Sequence, residues 1–99
     1  MNALTNSILL VDDHPLLRKG LKQLIDLEDE LSVIGEAASG KEGLRLAIEH
    51  DPDLIILDLN MQGMDGLETL KTMRANDVTS RIIMLTVSDN DEDVLTAIS

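Results

Sequence analysis

The sequence predicts an α/β domain with a doubly wound parallel sheet, and three observations carry that prediction. Four short runs rich in Ile, Leu and Val recur along the chain: ILLV from Ile8, LSVIGEA from Leu31, LIILDL from Leu54 and RIIML from Arg81. Runs this continuous suit strands buried on both faces, as in a parallel sheet covered by helices. Each run is followed by a segment of helical period, and right-handed β-α-β crossovers lay such helices on the sheet.

In the first helical segment Leu17, Leu21, Leu24 and Ile25 fall on one face. Pro15 suits its first turn, where a missing N–H costs nothing. The second helix opens at Ser39 with Glu42 three residues on, the reciprocal capping box. Leu44, Ala47 and Ile48 form its inner stripe, and it ends before Pro52. The third opens at Asp65 with Glu68 in the box position and packs through Leu67, Leu70 and Met73 or the stem of Arg74. A fourth is expected from near Ser88, where Asp89, Asp91, Glu92 and Asp93 would face the positive end of the helix dipole. The pattern therefore reads as truncated after the fourth βα unit, about two turns into its last helix, with no linker and no second domain in residues 1–99.

A chain of 99 residues builds one core. With 43% hydrophobic residues and no Phe, Tyr or Trp, that core is made of Leu, Ile, Val, Met and Ala. A formal net charge of −11 disfavours direct contact with nucleic-acid phosphates or anionic membranes and suits cations or a basic protein partner. The lack of cysteine excludes disulfides and thiolate metal sites. No apolar run approaches the ~18 residues of a membrane span, and MNALTNS lacks the features of a signal peptide. A cytoplasmic location is expected.

Open parallel sheets bind ligands outside the carboxyl ends of their strands, so the residues after each run are the ones to read. Asp12 and Asp13 follow the first run, Asp58 the third, and Thr86 and Ser88 the fourth. If the first and third strands are neighbours, three carboxylates converge on one crevice. Two like charges ~4 Å apart repel by about 4 kcal/mol at an effective dielectric near 20. Such a pair takes up a proton or binds a hard cation. Carboxylates, a backbone carbonyl and waters are ligands for Mg²⁺, and Asn60, two residues past Asp58, supplies the carbonyl. Each residue alone has a plainer reading: Asp12 and Asp13 as a turn or cap, Asp58 as a turn residue in LDLNMQGMDG, Thr86 as a β-branched strand residue. Their convergence at three strand ends favours a site.

GEAASGK, from Gly35 to Lys41, fits the first seven positions of a phosphate-cradling P-loop. The next residue is Glu42 where that loop needs a Ser or Thr hydroxyl, and the capping box explains Glu42 without a nucleotide. His14 and His50 lack any metal-ligand spacing; His14 reads as a loop or cap residue and His50 as a solvated helix end.

ILLVDDHPLLRKGLKQLI, PDLIILDLNMQGMDGLETL and RIIMLTVSD together resemble the receiver domain of bacterial two-component response regulators, in the subfamily with a helix-turn-helix output domain. The resemblance covers the whole chain. Its wording is close to the nitrate/nitrite response regulators of the NarL and NarP type, with LTVSD leaning toward NarP. It implies a flavodoxin-like (CheY-like) fold with strand order 2-1-3-4-5 and an output domain that is absent from this chain. By resemblance, Asp58 is the phosphoacceptor, attacking the phosphoryl group of a phosphohistidine on a sensor histidine kinase. Asp13, Asp58 and the carbonyl of Asn60 would ligate Mg²⁺, with Asp12 acting through bound water, and Thr86 would hydrogen-bond the new phosphate. Arg18, Lys19 and Lys22 mark the kinase-docking face. The domain would assist its own phosphorylation and dephosphorylation rather than act as an enzyme on other substrates, and would reach DNA only through the output domain.

Three departures accompany the resemblance. The family has a Lys ending a fifth strand and an aromatic switch residue on that strand; here the fifth strand and helix are expected to be absent, and Lys19, Lys22, Lys41 and Lys71 all fall on helices. Gln62 stands where related regulators often carry Pro. A fourth strand without a neighbour is a bare edge, which invites pairing with a second copy or swapping, so a marginal monomer or a homodimer is expected. Two rival functions stay open on the residues. One is a Mg²⁺-dependent aspartate-nucleophile phosphohydrolase, although DLNMQ has Asn60 and Gln62 in place of its general acid and Thr; the other is a non-phosphorylated interaction module.

Overall fold

In the computed structural model, residues 6–61 and 65–85 are described in full, together with the backbone of 86–87 and 93–98. The elements run β1 (Asn6–Val11), α1 (Pro15–Asp26), β2 (Leu31–Ala37), α2 (Gly40–His50), β3 (Leu54–Asp58), α3 (Gly66–Ala75), β4 (Arg81–Val87) and β5 (Asp93–Ile98). They form a five-stranded sheet in the order β2-β1-β3-β4-β5. The first four strands are parallel, as the continuous apolar runs predict. The chain passes from β1 outward to β2, then back across β1 to β3, so strand order reverses between β1 and β3.

Strand residues divide the core in two. Leu9, Val11, Ile55, Leu57, Ile82 and Met84 point to the face that Ala47 of α2 and Leu70 and Met73 of α3 cover. Ile8 and Leu10 point to the opposite face, where Ile25 and Leu21 of α1 pack with partly buried Leu54 and Ile56. Among the described residues, two helices seal the first face and one covers the second. Close approach on the sealed face depends on Gly43, where a Cβ would meet the Val11 side chain at 2.8 Å.

The helix starts follow the capping chemistry. Pro15 occupies the first turn of α1. Ser39 Oγ accepts from the Glu42 N–H at 3.2 Å, while the Glu42 carboxylate accepts from the Ala38 N–H rather than that of Ser39 itself. Asp65 accepts from the Glu68 N–H at 2.8 Å. The inner faces differ from expectation in detail: Leu24 is 64% exposed, Leu67 48% and Ile48 54%. On α1 the contact is left to buried Ile25 and partly buried Leu21, while Thr69 on α3 and the partly buried Leu46 on α2 join the packed faces.

At the amino ends of the strands a set of hydrogen bonds clips β1, β3 and β4 together. Asp53 Oδ2 accepts from the Ser7 N–H and Oγ–H at 2.8 and 3.1 Å. The Asp53 N–H donates to Ser7 O, Arg81 N–H donates to Asp53 O, and Ser80 Oγ donates to Pro52 O.

The last element corrects the sequence reading. Residues 93–98, expected in a fourth helix, form β5 antiparallel to β4, with Val87 opposite Asp93 and Ile82 opposite Ile98. The helix expectation rested on acidic residues around Ser88, of which Asp89, Asp91 and Glu92 lie outside the described residues. Val94, Thr96 and Ile98, later in the segment, are β-branched at alternate positions and better suited to a strand. The edge of β4 is therefore paired within the chain, not bare, which removes the basis for a homodimer through a strand-four edge.

Candidate functional site

At the carboxyl ends of β1 and β3 the strand termini bring the acidic residues together. Val11 pairs with Leu57, so the next residues, Asp12 and Asp58, emerge side by side at the point where strand order reverses. Both are almost fully buried, at 2% exposure each. The Asp12 N–H donates to Ala37 O at 2.9 Å, which holds the turn against β2. The Arg18 guanidinium donates to Asp12 O and pairs with Glu36 at 3.0 Å, so this cation braces α1 against the β1 and β2 ends. It is not available to an exposed docking face; Lys19 is exposed, and Lys22 pairs with Asp26 on its own helix.

Asp12, Asp13, His14 and Asp58 each place one ligand atom in a group whose members lie within 4.8 Å of one another. His14 Nδ1 is 3.0 Å from Asp12 Oδ1 and 3.1 Å from both Asp13 Oδ1 and Asp58 Oδ2. The Asn60 backbone N–H donates to Asp58 Oδ1 at 3.0 Å. Asp12 Oδ2 is buried with no hydrogen-bond partner. Burial pushes the Asp58 carboxyl above its ordinary range and Asp12 adds to the rise, against the Asn60 N–H and His14, which favour its charged form. The His14 imidazole is raised above its usual value chiefly by its hydrogen bond to Asp12, with the surrounding carboxylates adding to the effect. These residues can hold a divalent cation: the donors are hard oxygens, and the unsatisfied Oδ2 of Asp12 is an open ligand position.

Three of the expected site residues are thus brought together. Asn60 is present through its N–H. Thr86 lies on β4 one residue beyond Leu85, the partner of Asp58, and its side chain lies outside the described residues, as do Gln62 and Ser88. Sequence reasoning missed His14. The available signal was its position directly after two strand-end carboxylates and before Pro15, which holds the preceding backbone extended. Ser39 and Glu42 cap α2 as expected, and Lys41 lies exposed on that helix.

A doubly wound sheet of this order, with carboxylates at the β1 and β3 ends, defines a class, and a profile of the response regulator receiver domain matches residues 8–99; the chain belongs to that family. Within it the chain is of the NarL/NarP type. It is 53% identical over 92 residues to the nitrate/nitrite response regulator protein NarL of Escherichia coli K12, which covers 93% of this chain and 43% of that protein. With NarP of the same organism the identity is 48% over 91 residues, covering 92% and 42%. The identity is higher with NarL than with NarP, the reverse of the leaning expected from LTVSD. The chain spans less than half the length of these relatives. Among solved structures, a LuxR-family two-component response regulator from Aurantimonas superposes with a TM-score of 0.81 at 38% identity, covering 86% of this chain and 61% of that one. The response regulator domain of Thermotoga maritima CheB gives 0.78 at 35% identity, covering 83% and 60%.

Proposed function

We propose that the chain is a phosphoryl-accepting switch in which Asp58 takes a phosphoryl group from a sensor histidine kinase, with Mg²⁺ held by Asp12, Asp13, Asp58 and the Asn60 carbonyl. The observation that carries this reading is the buried, ionisable Asp58 at the β3 end, clustered with Asp12 and Asp13 at the strand-order reversal. Three carboxylates this close are costly without a cation. When bound, Mg²⁺ supplies charge neutralisation for the phosphoryl oxygens. The chain's own residues supply the nucleophile and its placement. An Asp58 oxygen forms the new P–O bond while the P–N bond of the donor phosphohistidine breaks, and that bond's electron pair leaves on the imidazole nitrogen. The Asn60 N–H fixes the carboxylate's rotation through Oδ1.

Thr86 is assigned the hydroxyl that meets the new phosphate, and the domain acts on itself rather than as an enzyme on other substrates. No helix among the described residues is long and apolar enough to cross a membrane; a cytoplasmic location and a DNA-binding output domain in the full-length protein complete the proposal. The test incubates the full-length protein with Mg²⁺ and acetyl phosphate and reads intact mass. One added phosphoryl group, lost in Asp58→Ala, is expected; no gain, or an equal gain in the variant, sinks the reading. Continuous release of phosphate from small esters would favour the phosphohydrolase instead.

A further inference from the structure

We infer that His14 is a ligand at this centre and that its nitrogen lets the site take a borderline transition-metal ion, Zn²⁺ or Ni²⁺, as well as Mg²⁺. The inference rests on the proposed cation site and extends it to the metals that site selects. His14 precedes Pro15, and its backbone is extended (φ −102, ψ 103), the region a following proline favours. Although His14 sits at the N-cap of α1, its side chain makes no capping bond. Its own N–H instead donates to Asp12 Oδ1 at 2.7 Å. The ring itself lies over the strand ends, with Nδ1 3.0 to 3.1 Å from oxygens of all three aspartates.

Size and chemistry support the assignment. The four ligand atoms lie within 4.8 Å of one another. Metal–nitrogen and metal–oxygen bonds of about 2.0 to 2.2 Å put neighbouring ligands of a tetrahedral site roughly 3.4 Å apart; the His14 contacts of 3.0 to 3.1 Å are already near that spacing, and the widest pair has to close by at most about 1.4 Å. The Asp12 side chain is 3% exposed, and its Oδ2 has no hydrogen-bond partner. A cation completes that carboxylate; the existing contacts to His14 do not. Three carboxylates alone suit Mg²⁺ and Mn²⁺, whereas an added imidazole raises affinity for Ni²⁺ and Zn²⁺ and does little for Mg²⁺, which prefers oxygen.

The experiment titrates the metal-free full chain with Zn²⁺, Ni²⁺ and Mg²⁺ by calorimetry, for wild type and His14→Ala. It also records imidazole ¹⁵N resonances with and without Zn²⁺. His50, whose ring lies 3.3 Å from Glu49 on α2, is the internal control. His14→Ala should weaken Zn²⁺ and Ni²⁺ binding about 10-fold or more while changing Mg²⁺ affinity less than about twofold. The Nδ1 resonance of His14 should move with Zn²⁺ and that of His50 should stay. Equal Zn²⁺ affinity in the two proteins, or an unmoved His14 Nδ1 at saturation, overturns the inference while normal Mg²⁺ binding leaves the cation site standing. Failure of wild type to bind Mg²⁺, with Zn²⁺ binding indifferent to Asp58→Ala, overturns both.

Discussion

Replacing Gly66 by alanine tests how tightly α3 is seated on the carboxyl end of β3. A Cβ at Gly66 would stand 2.5 Å from the carbonyl oxygen of Asp58 and 2.6 Å from Leu59 Cα, against an ordinary limit of 3.4 Å. About 0.9 Å must open between helix and strand end, and both obstructing atoms are backbone. Overpacking of this kind costs roughly 1–3 kcal/mol. The gain from replacing helical glycine is at most about 1 kcal/mol, and less at the first residue of a helix. The expected net loss is about 1–2 kcal/mol, or roughly 5–15 °C in Tm for a domain of this size. Gly20 is the matched control, because nothing lies within 4 Å of its Cβ in the middle of α1; Gly20→Ala should stabilise by about 0.5–1 kcal/mol. Urea unfolding followed by circular dichroism measures both, since the chain has no Trp or Tyr to report by fluorescence. The two substitutions should have opposite signs at unchanged m. If Gly66→Ala is neutral or stabilising, the close approach of α3 to Asp58 is wrong.

Removing the charge at Asp58 should stabilise the metal-free protein. Its oxygen and that of Asp12 lie within 4.8 Å, a repulsion of at least about 3.5 kcal/mol at an effective dielectric near 20, partly offset by the lost contact to His14. Asp58→Asn should therefore gain about 1–2 kcal/mol without metal, and the rise in Tm expected of wild type on adding Mg²⁺ should be absent from the variant; melting curves with and without Mg²⁺ check both. The pH dependence has a definite sign. His14 binds its proton more tightly folded than unfolded, so its contribution is full below pH 6.5 and is lost as pH rises through the raised folded value. Asp58, also raised, favours the folded state at low pH and gives up that advantage as pH climbs from about 3.8 through its folded value. Metal-free Tm should fall as pH rises above 6.5, and His14→Gln should flatten that fall; a slope unchanged in the variant removes His14 as its cause.

The parallel strands were legible because strands buried on both faces leave uninterrupted apolar runs. The helix faces were legible only in part. Thr69 is fully buried, its hydroxyl donating to the Asp65 carbonyl at 2.7 Å, and a hydropathy pattern cannot see a polar group satisfied within its own helix. Leu24 counts as core by periodicity but stands exposed because, among the described residues, α1 covers its face of the sheet without a second helix. The acidic cluster was legible because carboxylates at strand ends declare themselves by position. His14 was not, because its ring meets the three aspartates from the turn between β1 and α1 without any ligand spacing in the sequence. Strand β5 was hidden because acidic residues ahead of an apolar stretch are also the sequence signature of a helix start.

The clip of Ser7, Asp53, Ser80 and Arg81 gives the two ends of the sheet different resistance to opening. At the amino ends, hydrogen bonds cross from β1 to β3 and from β3 to β4, so those strands cannot part without breaking several at once. At the carboxyl ends, Asp12 and Asp58 push against one another. Amide exchange in the metal-free protein should therefore be slower at Asp53 and Arg81, whose N–H groups close the clip, than at Asn60, whose N–H is held by the Asp58 carboxylate. Cation binding would act as a second fastener at the loose end, so that occupancy of the site is felt along the full length of β1 and β3.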